Sequence, residues 1–320
     1  MDKVFNKILI IDGSHLLHRQ LRQEEIKNAI CGFLRSLNSE LKKCNGYFPI
    51  VVFDHGLSQR RIAIDSSYKH ADEKDNTEKV VTVDDVPNDY VAKYRKSRTA
   101  LSIILKCFGI PVVMYEGFEG DDLICVLTKL ANDSIVLTDD KDMLQLISKT
   151  CKVRRPIANE LWDNDKFTEK YGTVKDFVIY KSVVGDESDN IVSSCKGVGE
   201  KYALSISKLI QYYMDSGNLI QYPSEEKELK NVCEKLEIPY RKAYANLDIK
   251  RFLINLKLVD LSLVQVAGDI VSSVVVTIKN SNSYKDYFML INELSNYDVE
   301  NAPVESLFEM INSRYGNLFI

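Results

Sequence analysis

Lys7-Ile8-Leu9-Ile10-Ile11-Asp12-Gly13 is the stretch on which the fold turns. Its unbroken apolar run predicts a buried strand, ended by a carboxylate and a glycine. Ser14–Lys42 then reads as helical, with Leu16, Leu17, Leu21, Ile26, Ile30, Phe33 and Leu37 roughly at helical spacing. The pattern recurs. Ile50–Phe53 predicts a second strand running into Asp54, and Tyr90–Phe108 a helix stopped by Gly109 and Pro111. Pro111–Tyr115 predicts a third strand, followed by a helix from about Gly120 to Ala131. Ser134–Leu137 predicts a fourth strand, and Lys141–Ile147 a helix. Strands alternating with helices predict an α/β fold, a mostly parallel twisted sheet with flanking helices.

Two regions break the alternation. His55–Asn88 is polar and charged with little apolar periodicity, the signature of a lid, an arch or a disordered loop. From about Phe167 the chain turns mostly helical, punctuated by Gly197-Val-Gly199. In the last fifty or so residues, Asp269–Ile278 is β-branched and reads as a strand, while Tyr284–Leu294 and Val304–Ile311 read as helices. The expected organisation is an α/β domain over 1–165 with an insertion at about 55–98, a helical subdomain over 166–267, and a C-terminal extension over 268–320.

Carboxylates stand where the apolar runs end. Asp12 and Asp54 follow the first two strands, Glu119, Asp121 and Asp122 the third, and Asp139, Asp140 and Asp142 the fourth; Asp186 and Asp189 form a further pair. The carboxyl ends of parallel strands share one edge, where ligands bind. Anions gathered there repel each other and call for cations. Hard divalent ions prefer carboxylate oxygen, so the pattern points to two Mg²⁺ or Mn²⁺ ions acting on phosphate esters. A single such acid also reads as a helix cap, and Asp139 reads as a cap or a solvated residue.

The chain has 320 residues, 45% hydrophobic and 28% charged, within the range of ordinary globular proteins. No apolar run approaches the roughly 20 residues of a membrane helix, and the opening Met1-Asp-Lys-Val-Phe-Asn-Lys does not read as a signal peptide. The seven cysteines are scattered without a Cys-x-x-Cys, which argues against a zinc or disulfide framework and for a cytoplasmic setting. The net charge of −4 is not that of a typical nucleic-acid binder. The clustered acids bias that sum, so local charge is the better guide. His15 and His18, one helical turn apart, lack a third nitrogen or sulfur partner and read as helix packing; Trp162 reads as a core or domain-junction residue.

Five blocks, in order, resemble the 5′-nuclease (flap endonuclease) family, especially bacteriophage and bacterial 5′→3′ exonucleases. They are Ile8–Gly13, Val52–Asp54, Glu119-Gly-Asp121-Asp122, Thr138–Leu146, and Gly185–Asn190 with Gly197–Lys201. Phe252–Asp260 resembles the stretch that closes the family's helical domain. The resemblance implies a helix–hairpin–helix-type element and first-ion ligands Asp12, Asp54, Glu119, Asp121 and Asp140. Asp142, Asp186 and Asp189 would serve the second ion, and Asp122 would orient its neighbours. It further implies Lys69 at the scissile phosphate, Tyr68 either stacked on a base or solvated, and Gly197, Gly199 and Lys201 on the duplex, with K⁺ at the 194–200 hairpin. Arg61, Arg95 and Arg98 would contribute to a basic gateway, or else belong to a solvated mixed-charge face. The family's arginine after Tyr-Lys is missing at Asp72; Arg95, Lys96 or Arg98 is expected to replace it.

The implied activity is structure-specific cleavage of DNA flaps and 5′ ends, with RNA–DNA hybrids as further substrates, by a monomer that meets replication proteins through its C-terminal extension. Two alternatives stand beside it. One is a catalytically weak DNA-binding protein. The other is a different phosphoesterase on a similar acidic sheet, although a haloacid-dehalogenase-type phosphatase needs an aspartate where Ser14 stands.

Overall fold

Ile8, Leu9, Ile10 and Ile11 are fully buried, so their strand has to be covered on both faces and flanked on both edges. The computed structural model, which describes residues 2–21, 25–69, 88–315 and 318, meets that demand. In chain order the elements are β1 (Phe5–Asp12), α1 (Gly13–Leu21), α2 (Ile26–Lys43), β2 (Phe48–Val52), α3 (Gln59–Ile64), α4 (Asn88–Cys107), β3 (Val112–Val113), α5 (Gly120–Leu130), β4 (Ala131–Leu137), β5 (Cys151–Arg155) and β6 (Glu160–Trp162). There follow α6 (Asn164–Tyr171), α7 (Val174–Val184), α8 (Glu200–Asp215), α9 (Glu226–Lys235), α10 (Ile249–Val259), α11 (Gly268–Lys279), α12 (Tyr287–Asn296) and α13 (Val304–Tyr315).

Two units form. The first contains residues 1–58, 86–164 and 264–320; the second contains 59–85 and 165–263. The first holds a sheet of order β3-β2-β1-β4-β5-β6, parallel throughout except for the antiparallel β6. The chain builds outward from β1 to β3, then returns to the other side of β1 with β4. The carboxyl ends of β1 and β4 therefore flank the place where strand order reverses, the usual ligand-binding crevice of such sheets.

Several expectations change in detail. The helix expected over Ser14–Lys42 is two helices, α1 and α2, with residues 22–24 outside the described set. The third strand is reduced to two paired residues. Lys141–Ile147 holds one tight 3₁₀ turn over Asp142–Leu146. At the end of α4, Gly109 adopts φ +78°; its N–H meets the Lys106 carbonyl and the Ile110 N–H the Leu105 carbonyl, a glycine-terminated helix end.

The strand expected over Asp269–Ile278 is wrong: it is α11. Val274 and Ile278, four residues apart, are its buried side chains, a helical spacing that overrides the weak β preference of valine and isoleucine. Residues 264–320 complete the first unit. Arg314, 5% exposed, donates to the carbonyls of Leu41 and Tyr47. Phe308 packs against Phe108 and Tyr287, the Asp286 N–H reaches the Cys107 carbonyl, and the Asn6 N–H reaches the Leu318 carbonyl.

The second unit is helical, built on contacts of α7 with α8 and of α10 with α7 and α3. The middle of the expected insertion, residues 70–87, lies outside the described residues. All seven cysteines are buried and no disulfide joins them. Among the described residues no helix is long and apolar enough to cross a membrane.

Candidate metal centre

The register of the sheet sets out the acids. Ile11 pairs with Leu137, so Asp12 on β1 lies beside Thr138 at the end of β4, and Asp12 itself pairs with Val52, two residues before Asp54. Gly13 is needed at the bend: a Cβ there would come within 2.7–2.9 Å of Val51, Phe53 and the Val52 carbonyl.

Asp12 and Asp54 are held by neutral donors. Asp12 accepts from the His15 N–H and the Thr138 hydroxyl, each at 2.9 Å. Asp54 accepts from the Gly120 N–H at 2.6 Å, the first residue of α5. The Asp54 N–H donates to Ser14 Oγ, which also accepts from the Tyr94 hydroxyl. Arg98 Nη1 donates to the Asp54 carbonyl at 2.7 Å. Glu119 and Asp122 form a capping box at the start of α5: each carboxylate accepts the other residue's N–H. The oxygens of Glu119, Asp121 and Asp122 converge within 4.8 Å of one another. Asp140 accepts from the Asp142 N–H.

The electrostatics are those of charge gathered without enough compensation. Burial first, and then the charges of Asp54 and Asp121, push Asp12 up to about 7. The protein packed around the Asp140 carboxyl, and then Asp142, Asp12 and Asp121, hold Asp140 above the usual carboxylate range. An all-oxygen donor set under this mutual repulsion fits hard divalent ions such as Mg²⁺ or Mn²⁺. Asp139 is no part of it; its carboxylate accepts the Ile157 N–H and ties down the β5–β6 connection.

In the second unit, Asp186 accepts from the N–H and hydroxyl of Ser188 and pairs with Lys181 at 3.3 Å. Burial raises its pKa, but the Ser188 contacts and the Lys181 charge outweigh that and leave it below the ordinary value. Lys69 pairs with Asp189 at 3.5 Å, and its N–H donates to the Asp189 carbonyl. Lys69 has φ +53°, and Asn190, next to Asp189, has φ +56°; both sit in the sparsely populated left-handed region. Gly197 is also left-handed, at φ +83°. Gly199 is the N-cap of α8, with open space where a Cβ would stand. The side chain of Lys201 lies outside the described set.

Two expected nucleic-acid contacts are corrected. Tyr68 is 2% exposed, packed with Ile191, Leu258 and Val259, and its hydroxyl donates to Asp189, so its ring has no face for a base. Arg61 is 3% exposed and donates from Nε to the Leu258 carbonyl. Arg95 and Lys96 are exposed on α4, whereas Arg98 is committed to the Asp54 carbonyl. His18 packs in a stack with Tyr94 and Tyr90, and Trp162 is buried. Thr138, Ser14 and Tyr94 were not singled out from the sequence as supports of the acids. Hydroxyls carry no distinctive spacing, and only the β1–β4 register and the packing of α4 bring them into place.

A parallel sheet with carboxylates gathered at its switch point defines a class of metal-dependent phosphoesterases. The particular family follows from comparison. The family model described as 5′-3′ exonuclease, N-terminal resolvase-like domain, matches residues 7–172. The chain belongs to this family, whose members are metal-dependent 5′ nucleases. It is similar to the 5′-3′ exonuclease of Aquifex aeolicus, 29% identical over 76% of this chain and 83% of that protein. It is also similar to a thermostable DNA polymerase I of Thermus thermophilus, 30% identical over 80% of this chain but only 30% of the polymerase. Among solved structures, the flap endonuclease of bacteriophage T5 in a pseudo-enzyme–product complex with DNA and metal ions shares the fold. The TM-score is 0.58 at 18% identity, covering 94% of this chain and 99% of that one.

Proposed function

We propose that the protein cuts branched and 5′-ended DNA, and RNA in RNA–DNA hybrids, using two divalent ions, Mg²⁺ or Mn²⁺. The observation that carries the reading is the convergence of Asp12, Asp54 and Asp140 at neighbouring strand ends with the Glu119–Asp121–Asp122 cluster. Ions held there supply Lewis acidity to the phosphate ester and lower the pKa of water. In this proposal Asp12, Asp54, Glu119, Asp121 and Asp140 hold the first ion, and Asp142, Asp186 and Asp189 serve the second. Asp122 keeps Glu119 oriented through the capping box. Lys69 turns from Asp189 to the scissile phosphate as a point charge.

Duplex binding is assigned to Gly197, Gly199 and Lys201, where the N-terminus of α8 suits a phosphate, with K⁺ at the 194–200 hairpin. Arg95 or Lys96, exposed on α4, replaces the missing arginine. The proposed protein works as a cytoplasmic monomer in replication. Its replication partners dock on residues 268–320, where Tyr287 and Phe288 stand exposed on α12.

The rival reading, a binding module without catalysis, leaves the repulsion among the acids without a purpose, since bare carboxylates repel DNA. A 5′-labelled flap duplex, incubated with Mg²⁺ and with excess EDTA, separates the two. Release of the 5′ strand only with Mg²⁺ supports the proposal. Equal turnover in EDTA, or none in Mg²⁺ on flap, nicked and single-stranded ends alike, refutes it.

A further inference from the structure

Thr138 stands in the middle of the acids without being one of them. It is 1% exposed, and its place in the sheet is fixed by its backbone, whose N–H donates to the Arg154 carbonyl at 3.0 Å, continuing the β4–β5 ladder. Its hydroxyl is therefore not needed to hold the strand. That hydroxyl donates to Asp12 Oδ2 at 2.9 Å and accepts from the Asp140 N–H at 3.1 Å. One group thus fixes a carboxylate on β1 and the backbone that carries a second carboxylate beyond β4. A β-branched side chain has little freedom at χ1, so the oxygen is held where both contacts meet.

We infer that Thr138 is a positioning residue that sets the divalent-ion affinity of the site by holding Asp12 and Asp140 in register with each other. The inference rests on the proposed metal-dependent reading. Removing the hydroxyl leaves Asp12 Oδ2 without this donor and the Asp140 N–H without this acceptor, and both groups relax away from the shared geometry. Such outer contacts to metal ligands typically govern about 10- to 100-fold in metal affinity or activity.

Thr138→Val keeps the shape and removes the hydroxyl; Thr138→Ser keeps the hydroxyl and removes the methyl. Mn²⁺ binding to the full chain is measured by calorimetry, with flap cleavage as a function of Mg²⁺ alongside. The expected result for Thr138→Val is a roughly 10- to 100-fold loss of Mn²⁺ affinity and a matching shift in the Mg²⁺ needed for half-maximal cleavage. Flap affinity in EDTA stays unchanged, and Thr138→Ser stays within about threefold of the parent. If Thr138→Val does not fold, as judged by its melt in EDTA, Thr138→Ala takes its place with the same expectation.

Mn²⁺ binding by the hydroxyl-free variant equal to the parent's overturns the inference. So does a Ser variant as weak as the Val one, since the methyl and not the hydroxyl would then matter. Failure of the parent chain itself to bind Mn²⁺ is a different result: it removes the metal-dependent reading along with the inference drawn from it.

Discussion

The two sets of acids are held in opposite ways. In the first unit Asp12 and Asp54 rest on backbone N–H groups and a hydroxyl, and burial and mutual repulsion raise Asp12 and Asp140. In the second unit Asp186 and Asp189 each have a lysine, Lys181 and Lys69, and Asp186 is held below its ordinary value. The first arrangement leaves a repulsion that a proton or an added cation relieves; in the second each acid is paired with a lysine. Acids of the same kind therefore differ in what they ask of a ligand: Asp12 and Asp54 are shown on neutral donors, whereas Asp186 and Asp189 each have a lysine.

The sharpest way to break this comparison is to neutralise one acid of each kind. Asp12→Asn is expected to slow flap cleavage by roughly a thousandfold or more, equivalent to about 4 kcal/mol of transition-state stabilisation. It should also raise the melting temperature of the metal-free protein above neutral pH, since it removes a charge its neighbours repel. Asp186→Asn should lower that temperature by stranding Lys181. Single-turnover rates and melts in EDTA report both, and a fall in stability for Asp12→Asn would contradict the stored-repulsion account.

Lys69→Met comes next, with an expected loss of about a hundredfold in single-turnover rate and little change in flap affinity. A change confined to the dissociation constant would confine Lys69 to its pair with Asp189.

A smaller effect is read from pH. Asp12 has a folded pKa of about 7 against about 3.9 unfolded. Its ionised form is thus disfavoured in the fold, and the stability present below about pH 4 is lost as pH rises through 7. In EDTA the melting temperature should fall by several degrees between about pH 5 and pH 8, and Mg²⁺ should restore it at the upper end. A metal-free protein that grows more stable over that window would be inconsistent with the raised Asp12. The smallest effect is expected for Lys181→Met. It removes one partly exposed ion pair, worth about 1 kcal/mol or less, and should be visible in urea melts as a small shift of midpoint.

The strands that carry the acids were legible because they are central. Ile8–Ile11 and Ser134–Leu137 are buried on both faces, so their apolar runs are unbroken and the residues that end them stand out. The Glu119–Asp122 spacing was legible as a motif, though its local role as a capping box emerged only from the contacts. Strands away from the centre of the sheet were less visible. In β5, charged Lys152, Arg154 and Arg155 conceal a strand, and Arg154 is buried because Glu40 pairs with it at 2.9 Å. Tyr68, read as either stacked on a base or solvated, is neither, and for a similar reason: the residues that bury it, Ile191, Leu258 and Val259, are more than a hundred positions away. Sequence period reports the faces an element has, and distant partners decide which of them is covered.

The C-terminal contacts bear on how the molecule is made. The first unit is assembled from three stretches of chain, the last of them 264–320, and the second unit is threaded between them. Arg314 holds the carbonyls of Leu41 and Tyr47. On the ribosome, synthesised from the N-terminus, the strands bearing Asp12 and Asp140 emerge long before the helices that complete their unit. The helical second unit, by contrast, has all of its chain available by residue 263. The acid-bearing sheet therefore gains these contacts only once residues 264–320 have been made, after the whole of the second unit is available.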